Sequence, residues 1–455
     1  MSPHTKAPRR PHRNPAITRT RHLSAALSLA LGAGALAHVD AIRAAPPVTN
    51  CADSGSGSLR ASVAAAVDGD TVDLSQLACG TITLTSGAIA VTQNSLRIDG
   101  PGADALTIDG DFNDRVFRHT GTGTLELHDL ALSKGKYVSD TTPYGGCVSS
   151  TGSVQLDNDT ISDCIVVGQD TAVARGGGIH VAGSLTLNSS TISGNTAQGL
   201  NNGGPPYNVA LGGGVSVFGD FIAKYSTISD NQAVASDDGH NSSGGGVIGF
   251  SYFGLISSTV SGNSAVGMGA ALIEGSNTDN VYIVNSTISD NTAENFSGIY
   301  TQTPTTIVSS TIAFNRATAG RGALYSQTVP IELQSTIIAG NEGPASLPDD
   351  LNGTDATVVS GGNNLITSFT IPVPIDTIED CPHLNPLADN GGPTRTLALR
   401  ADSLAIDHGN NDHDLDFDQR GMPRVIGAAA DIGAYERNGP DEHLLFSGFE
   451  GVCDR

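Results

Sequence analysis

Two acidic stretches carry residue types from which chemistry could be built. Asp237-Asp238, followed by Gly239 and His240, is the best local carboxylate pair in the chain. Glycoside hydrolysis needs two such groups, one acting as acid and the other as base or nucleophile. The pair stands in a polar, variable stretch, however, and solvated loop charge is the preferred reading of it. Lys is scarce: beyond residue 136 only Lys224 remains, so a lyase would need an arginine base. Arg316 and Arg321 have no Asp cluster beside them in sequence. His180 alternates with Ile179 and Val181 and is expected on an outer face. No Ser/His/Asp nucleophile phrase, phosphate loop or Cys-x-x-Cys metal pair is found. No residue is assigned a catalytic role.

The second stretch runs from Asp407-His408 to Asp412-His413-Asp414-Leu415-Asp416-Phe417-Asp418. Asp412, Asp414, Asp416 and Asp418 alternate as oxygen ligands of a calcium loop do. The Gly and the distal Glu of an EF-hand are missing. A solvated acidic turn is the preferred reading, and calcium is the only cofactor that the sequence suggests.

These residues need elements to hold them, and the composition points to β-structure. The chain has 455 residues, 56 of them Gly, with 38% hydrophobic and 15% charged residues. That is too apolar for a wholly disordered chain. With 46 acidic against 23 basic residues, nucleic acid is not expected as a partner. Six basic residues precede the apolar run Leu23–Ala37, which is shorter than a membrane span. Residues 1–44 read as a secretory signal peptide, cleaved after Ala37 or Ala44. Removing residues 1–37 leaves 17 basic and 46 acidic side chains, net −29. Export suits the six cysteines, Cys51, Cys79, Cys147, Cys164, Cys381 and Cys453, which an oxidising compartment would pair.

The repeat decides the fold. Thr191-Ile192-Ser193-Gly194-Asn195 returns as Thr227-Ile228-Ser229-Asp230-Asn231 and as Thr287-Ile288-Ser289-Asp290-Asn291, with Thr259-Val260-Ser261-Gly262-Asn263 and Thr311-Ile312-Ala313-Phe314-Asn315 as variants. Thr336-Ile337-Ile338 keeps only the strand, with Asn341 one residue late. A Gly-rich phrase lies upstream, and Gly178, Gly214, Gly246 and Gly298 each stand 17 residues before the Asn. A fixed unit with variable spacers predicts an all-β, right-handed parallel β-helix, three short strands to a coil. The spacers, such as Thr196–Leu211 and Gln232–Ser243, are expected as loops from one corner. Ile192, Ile228, Val260, Ile288, Ile312 and Ile337 should stack inward. Asn195, Asn231, Asn263, Asn291 and Asn315 should form an amide ladder. Cys147 and Cys164 are also 17 apart and replace the last Gly and the Asn of one coil, which predicts a disulfide across that coil.

The ends must differ, because stacked repeats need caps. Ser58–Val67 is the best short helix, stopped by Asp68-Gly69, and Cys51 and Cys79 flank it. The expected order is the signal peptide (1–44), an N-terminal cap and first coils (45–119), β-helix repeats (120–345), an irregular C-terminal region (346–437) and a tail (438–455). Asn390-Gly391-Gly392-Pro393-Thr394, Ala405-Ile406-Asp407, Asp418-Gln419-Arg420-Gly421 and Asp431-Ile432-Gly433-Ala434-Tyr435-Glu436 resemble, in order and spacing, the C-terminal region of bacterial choice-of-anchor Q proteins. Gly57-Ser58-Leu59-Arg60-Ala61 and Gly69-Asp70-Thr71-Val72 resemble a CSLREA-type N-terminal segment, with Gly57 in place of Cys and a departure at Ser62. The Gly-rich and Thr-Ile-Ser units resemble the polymorphic outer-membrane-protein type of repeat. The tail Leu445-Phe446-Ser447-Gly448-Phe449-Glu450 is similar to a terminal phrase of exported proteobacterial proteins, which implies a sorting role.

These resemblances cover residues 50–437 and imply a secreted or outer-surface protein of a Gram-negative bacterium, without assigning chemistry. The 19 residues after Glu436 are too few for a barrel translocator, so separate export machinery is expected. No transmembrane segment is expected in the mature chain. The sequence thus favours a non-catalytic protein of adhesion or recognition, partnered by an extracellular polymer or cell-surface ligand. The alternatives are a lyase or hydrolase of a pectin-like acidic polysaccharide, and a structural envelope protein.

Overall fold

In the computed structural model of the chain, residues 45–141, 143–170, 172–200, 209–235, 242–269, 271–273, 280–327, 329–354 and 359–438 are described. The expected signal peptide, the Asp237-Asp238 pair with His240, Cys453 and the tail phrase fall outside them.

Short strands of two to five residues send alternate side chains inward, as Leu185–Asn188 and Thr191–Ser193 do, so each strand has one face to bury. Winding the chain stacks like strands in parallel. Sheet 1 holds eleven strands, from Thr71–Asp73 to Val359–Gly362. Sheet 2 holds eleven, from Thr81–Thr83 to Leu365–Ile366, and sheet 3 holds ten, from Ile89–Val91 to Leu351–Gly353. Every pairing between these strands is parallel, as between Thr191–Ser193 and Thr227–Ser229. The chain is a parallel β-helix whose apolar interior runs from Ala45 to Ile371. Among the described residues no helix is long and apolar enough to cross a membrane.

The spacers do more than loop. Each begins with a strand of a fourth parallel sheet, including Ile165–Gln169, Thr196–Leu200 and Gln232–Ala235. Val166, Ala197, Ala233 and Ala265 stack there as a small second core. Small residues at alternate positions let this sheet lie close against the coil, which a polar Gly-rich composition concealed.

Ile192, Ile228, Val260, Ile288 and Ile312 form the inward row of sheet 2. The next rung corrects the expected register. Ile312 pairs with Ile338, not Ile337, and Thr311 pairs with Ile337. Asn341 is therefore on time. Ile337 points outward, where Leu384, Leu397 and Tyr435 of the C-terminal region cover it.

Two polar ladders hold the coils in register. Asn195 Nδ2 donates to Asn231 Oδ1 at 2.9 Å, Asn231 to Asn263 at 2.9 Å, Asn263 to Asn291 at 3.0 Å and Asn291 to Asn315 at 2.8 Å. The series continues through Asn341 and ends on the Asp350 carboxylate at 2.8 Å. The second ladder uses the Ser before each Thr. The amide of Ser190 donates to Ser226 Oγ, Ser226 to Ser258, and Ser258 to Ser286, each at 3.1–3.2 Å. Asp159 heads this row: its amide donates to Ser190 Oγ at 3.1 Å, and burial pushes its carboxyl up to about 8.

Both mapped disulfides tie a coil or a cap. Cys147 and Cys164 are bridged with Cα atoms 5.5 Å apart, and the Cys164 amide donates to Asn195 Oδ1, so the bridge starts the Asn ladder. Cys51 and Cys79 are bridged beside helix α1 (Leu59–Ala65). The Ser58 side chain caps α1, and Leu59 and Val63 are buried over the open end of the coil stack. Gln93 Nε2 donates to Val63 O at 2.8 Å and Ala66 O at 2.7 Å, satisfying the far end of the helix. Cys381 is disulfide-bonded too.

Candidate binding trough

The outer face of sheet 2 is written by the repeat itself. With Ile inward, Thr and Ser point out, so Thr191, Thr227, Thr259, Thr287 and Thr311 form one row. Ser193, Ser229, Ser261 and Ser289 form the next. Coils lie ~4.8 Å apart, so hydroxyls recur at that interval.

The residue after each Ser turns the corner in the left-handed region: Asp163 (φ 56°), Gly194 (66°), Asp230 (57°), Gly262 (66°) and Asp290 (58°). Gly and Asp tolerate that conformation better than most residues, which explains what fills this place. They also alternate for a packing reason. A Cβ on Gly194 would stand 3.2 Å from Asp163 Oδ1, and one on Gly262 would stand 2.4 Å from Asp230 Oδ1. The Asp163 and Asp230 carboxylates thus lean into the space that Gly194 and Gly262 leave open. Asp163, Asp230 and Asp290 are exposed along this corner. Burial on its inner side raises the Asp290 carboxyl above its ordinary pKa, against a 2.6 Å hydrogen bond from Ser289 Oγ.

After Ile366 the chain doubles back and lays its C-terminal region on the Thr row. Gln419, fully buried, is the main pin. Its Nε2 donates to Thr259 Oγ1 and Thr394 Oγ1, both at 2.9 Å, and its Oε1 accepts from Thr287 Oγ1 at 2.6 Å. Thr259 Oγ1 donates to Arg395 O at 2.7 Å, Asn285 Nδ2 to Phe417 O at 2.7 Å, and the Ala434 amide to Thr311 Oγ1 at 3.0 Å. Thr259, Thr287 and Thr311 are buried beneath this layer, whereas Thr191 and Thr227 stay open.

A buried charge network holds the layer together. Arg420 Nε donates to Asp418 Oδ2 at 2.9 Å, and its guanidinium lies 3.6 Å from the Tyr435 ring centre. Asp418 Oδ2 accepts the Glu436 amide at 3.0 Å, and Glu436 accepts the amides of Ile426 and Asp431, both at 2.8 Å. Burial pushes the Glu436 carboxyl up to about 7. Two of the C-terminal phrases noted in the sequence therefore meet here as one folding unit.

Where this layer ends, a trough of about 650 Å³ remains. Thr191, Ser193, Thr227, Ser229 and Ser261 form its floor, Asp230 and Asp290 one side, and Asp389, Thr394 and Arg395 the other. Ser261 is only 7% exposed, and its hydroxyl faces the trough without an internal hydrogen-bond partner.

The residues singled out for calcium are not gathered. Asp418 faces inward, its oxygens taken by Arg420, Met422 and Glu436, while Asp412, Asp414 and Asp416 are exposed on the loop. Among the described residues no group of three or more His, Cys, Asp and Glu side chains is arranged to hold a metal. His180 does point away from the core, but it is 3% exposed, stacked 4.3 Å from Tyr144 and edge-on to Phe218 at 5.6 Å. Burial, then the nearby charges of Arg175 and Arg115, hold its imidazole near 3, so it stays neutral. On sheet 1, His128 lies between Asp157 (3.4 Å) and Glu126 (3.7 Å).

Comparison with known proteins adds little to this geometry. No protein-family model matches the chain, and no curated protein matches it. Among solved structures it is similar to the crystal structure of pectate lyase Pel9A, at 14% identity and a TM-score of 0.47, over 87% of this chain and 97% of that chain.

Proposed function

We propose that this is an exported, non-catalytic recognition protein, and that the trough on sheet 2 holds a length of an extended, polyhydroxylated polymer at a cell surface. One observation carries the reading. Thr191, Ser193, Thr227, Ser229 and Ser261 present hydroxyls without internal partners, in two rows at the coil interval, inside a concave site. Repeating polar groups on a rigid solenoid suit a repeating ligand. Two disulfides support folding in an oxidising compartment. Placement on the outer surface of a Gram-negative cell, through separate export machinery, is part of the same proposal.

The test pairs binding with product analysis. The mature protein is incubated with neutral, acidic and basic polysaccharides, and co-sedimentation is followed alongside release of reducing or unsaturated ends. Binding without release, lost in the Thr227→Val/Ser229→Val variant, is the expected result. Both substitutions sit on open strand positions and suit β-structure, so the fold survives. Release of chain ends would replace the reading with a polysaccharide lyase or hydrolase. Absence of binding to every polymer would overturn it.

A further inference from the structure

The corner beside the hydroxyl rows carries a charge pattern of its own. Asp163, Asp230 and Asp290 are exposed on alternate coils, with Gly194 and Gly262 between them. Two coils advance about 10 Å. The trough adds Asp389 on its opposite wall and only one basic side chain, Arg395. The C-terminal layer covers the Thr row from Thr259 onward but leaves the corner open, so a chain lying along it would pass one carboxylate per two coils. Its floor includes Ser261, a residue 7% exposed whose hydroxyl opens on the trough without an internal partner.

The ligand must match both the interval and the sign. An extended β-1,4-linked sugar chain in its two-fold form advances by nearly one coil per sugar. Successive sugars face opposite ways, so a given edge returns every second sugar, in step with the Asp–Gly alternation. Hydroxyls on that chain meet the Thr and Ser rows. A group facing the carboxylates at each second sugar is favoured if it is cationic. A neutral or acidic chain gains nothing from the same rail, and an acidic one is repelled.

Resting on the polymer-recognition reading above, we infer that the trough selects a β-1,4-linked amino-sugar chain bearing free amines, with Asp230 and Asp290 as the groups that meet them. Asp230 sits in the centre of the rail, so it carries the larger share.

The test uses defined hexamers, which avoid the unspecific attraction between a long polycation and an acidic protein. Calorimetric titration of the mature protein at pH 5.5 compares the β-1,4 hexamer of glucosamine, its fully N-acetylated form and the β-1,4 glucose hexamer. The glucosamine hexamer is expected to bind at least roughly tenfold more tightly than the other two, and Asp230→Asn to remove about that factor. Glu332→Gln, on sheet 1, is expected to leave binding unchanged and so excludes a general charge effect. Equal or tighter binding of the acetylated or glucose hexamer, or an Asp230→Asn variant that binds like the parent, would overturn this inference. If the Thr227→Val/Ser229→Val variant still lost polymer binding, the broader reading would stand. Failure of every polymer to bind would remove both.

Discussion

Asp230 occupies the room that Gly262 leaves empty: its Oδ1 lies 2.4 Å from where a Gly262 Cβ would stand. Gly262 also holds φ at 66°. A side chain at 262 therefore meets both backbone strain and a collision with the coil below. Gly262→Ala should destabilise the protein by ~1–3 kcal/mol. Asp230→Ala in the same chain should return part of that loss, because it removes the collision but not the strain. Chemical denaturation of the two single variants and the double variant measures the coupling. Strict additivity would mean that the two residues do not compete for space.

Gln419 should matter more than an amide in a loop usually does. It satisfies Thr259, Thr287 and Thr394 at once, all buried. Gln419→Leu strands the Thr287 hydroxyl, while Thr259 and Thr394 keep their bonds to Arg395 O and Ser257 O, at roughly 1–3 kcal/mol for the stranded group. The C-terminal layer should then become the first site of limited proteolysis, while the coils keep their circular-dichroism signal. A variant as resistant as the parent would show that Gln419 is not the pin.

Asp159 makes stability depend on pH. Burial raises its folded pKa to about 8, far above the ordinary carboxylate value. The folded state holds the proton that the unfolded state releases, so this group's contribution falls as pH rises from about 4 to about 8. Asp159→Asn starts lower at pH 5, because an amide nitrogen would face the Asp157 N–H that the carboxylate now accepts at 3.0 Å. It should nevertheless lose less stability than the parent between pH 5 and pH 8, by ~1 kcal/mol or more. Denaturation midpoints at both pH values decide it, and parallel pH profiles would contradict the assignment.

The Asn ladder should fail locally. Asn263 accepts two hydrogen bonds from Asn231 and donates to Asn291 and to Ile228 O, all fully buried. Asn263→Ala strands polar groups in the coils on both sides and should cost about 3 kcal/mol or more. Hydrogen exchange should quicken at Asn231 and Asn291 before it does at Asn195. Uniform acceleration along the solenoid would mean that the ladder acts as one unit instead.

Much of this architecture is legible because the repeat fixes a corner. The constant interval between Gly and Asn places Cys147 beside Cys164 and puts Ile192 over Ile228. It misleads at Ile337, where matching the word Thr-Ile hides a shift that Asn341 already marks. The Ser ladder is also visible in hindsight, since a Ser precedes each of five repeated threonines. The fourth sheet is harder to see: Ala197 and Ala233 carry too little apolar area to reveal a buried face. The trough is not legible at all. Its far wall comes from residues 387–395 and depends on Gln419 meeting Thr259, 160 positions away, which no local pattern encodes.

The most direct test is a footprint. Amide hydrogen exchange of the mature protein is compared with and without the polysaccharide that co-sediments best. The account predicts slower exchange confined to residues 191–195, 227–231, 259–263 and 387–395. Protection centred on another face, such as the Tyr144–His180–Phe218 stack, or none under saturating polymer, would contradict it.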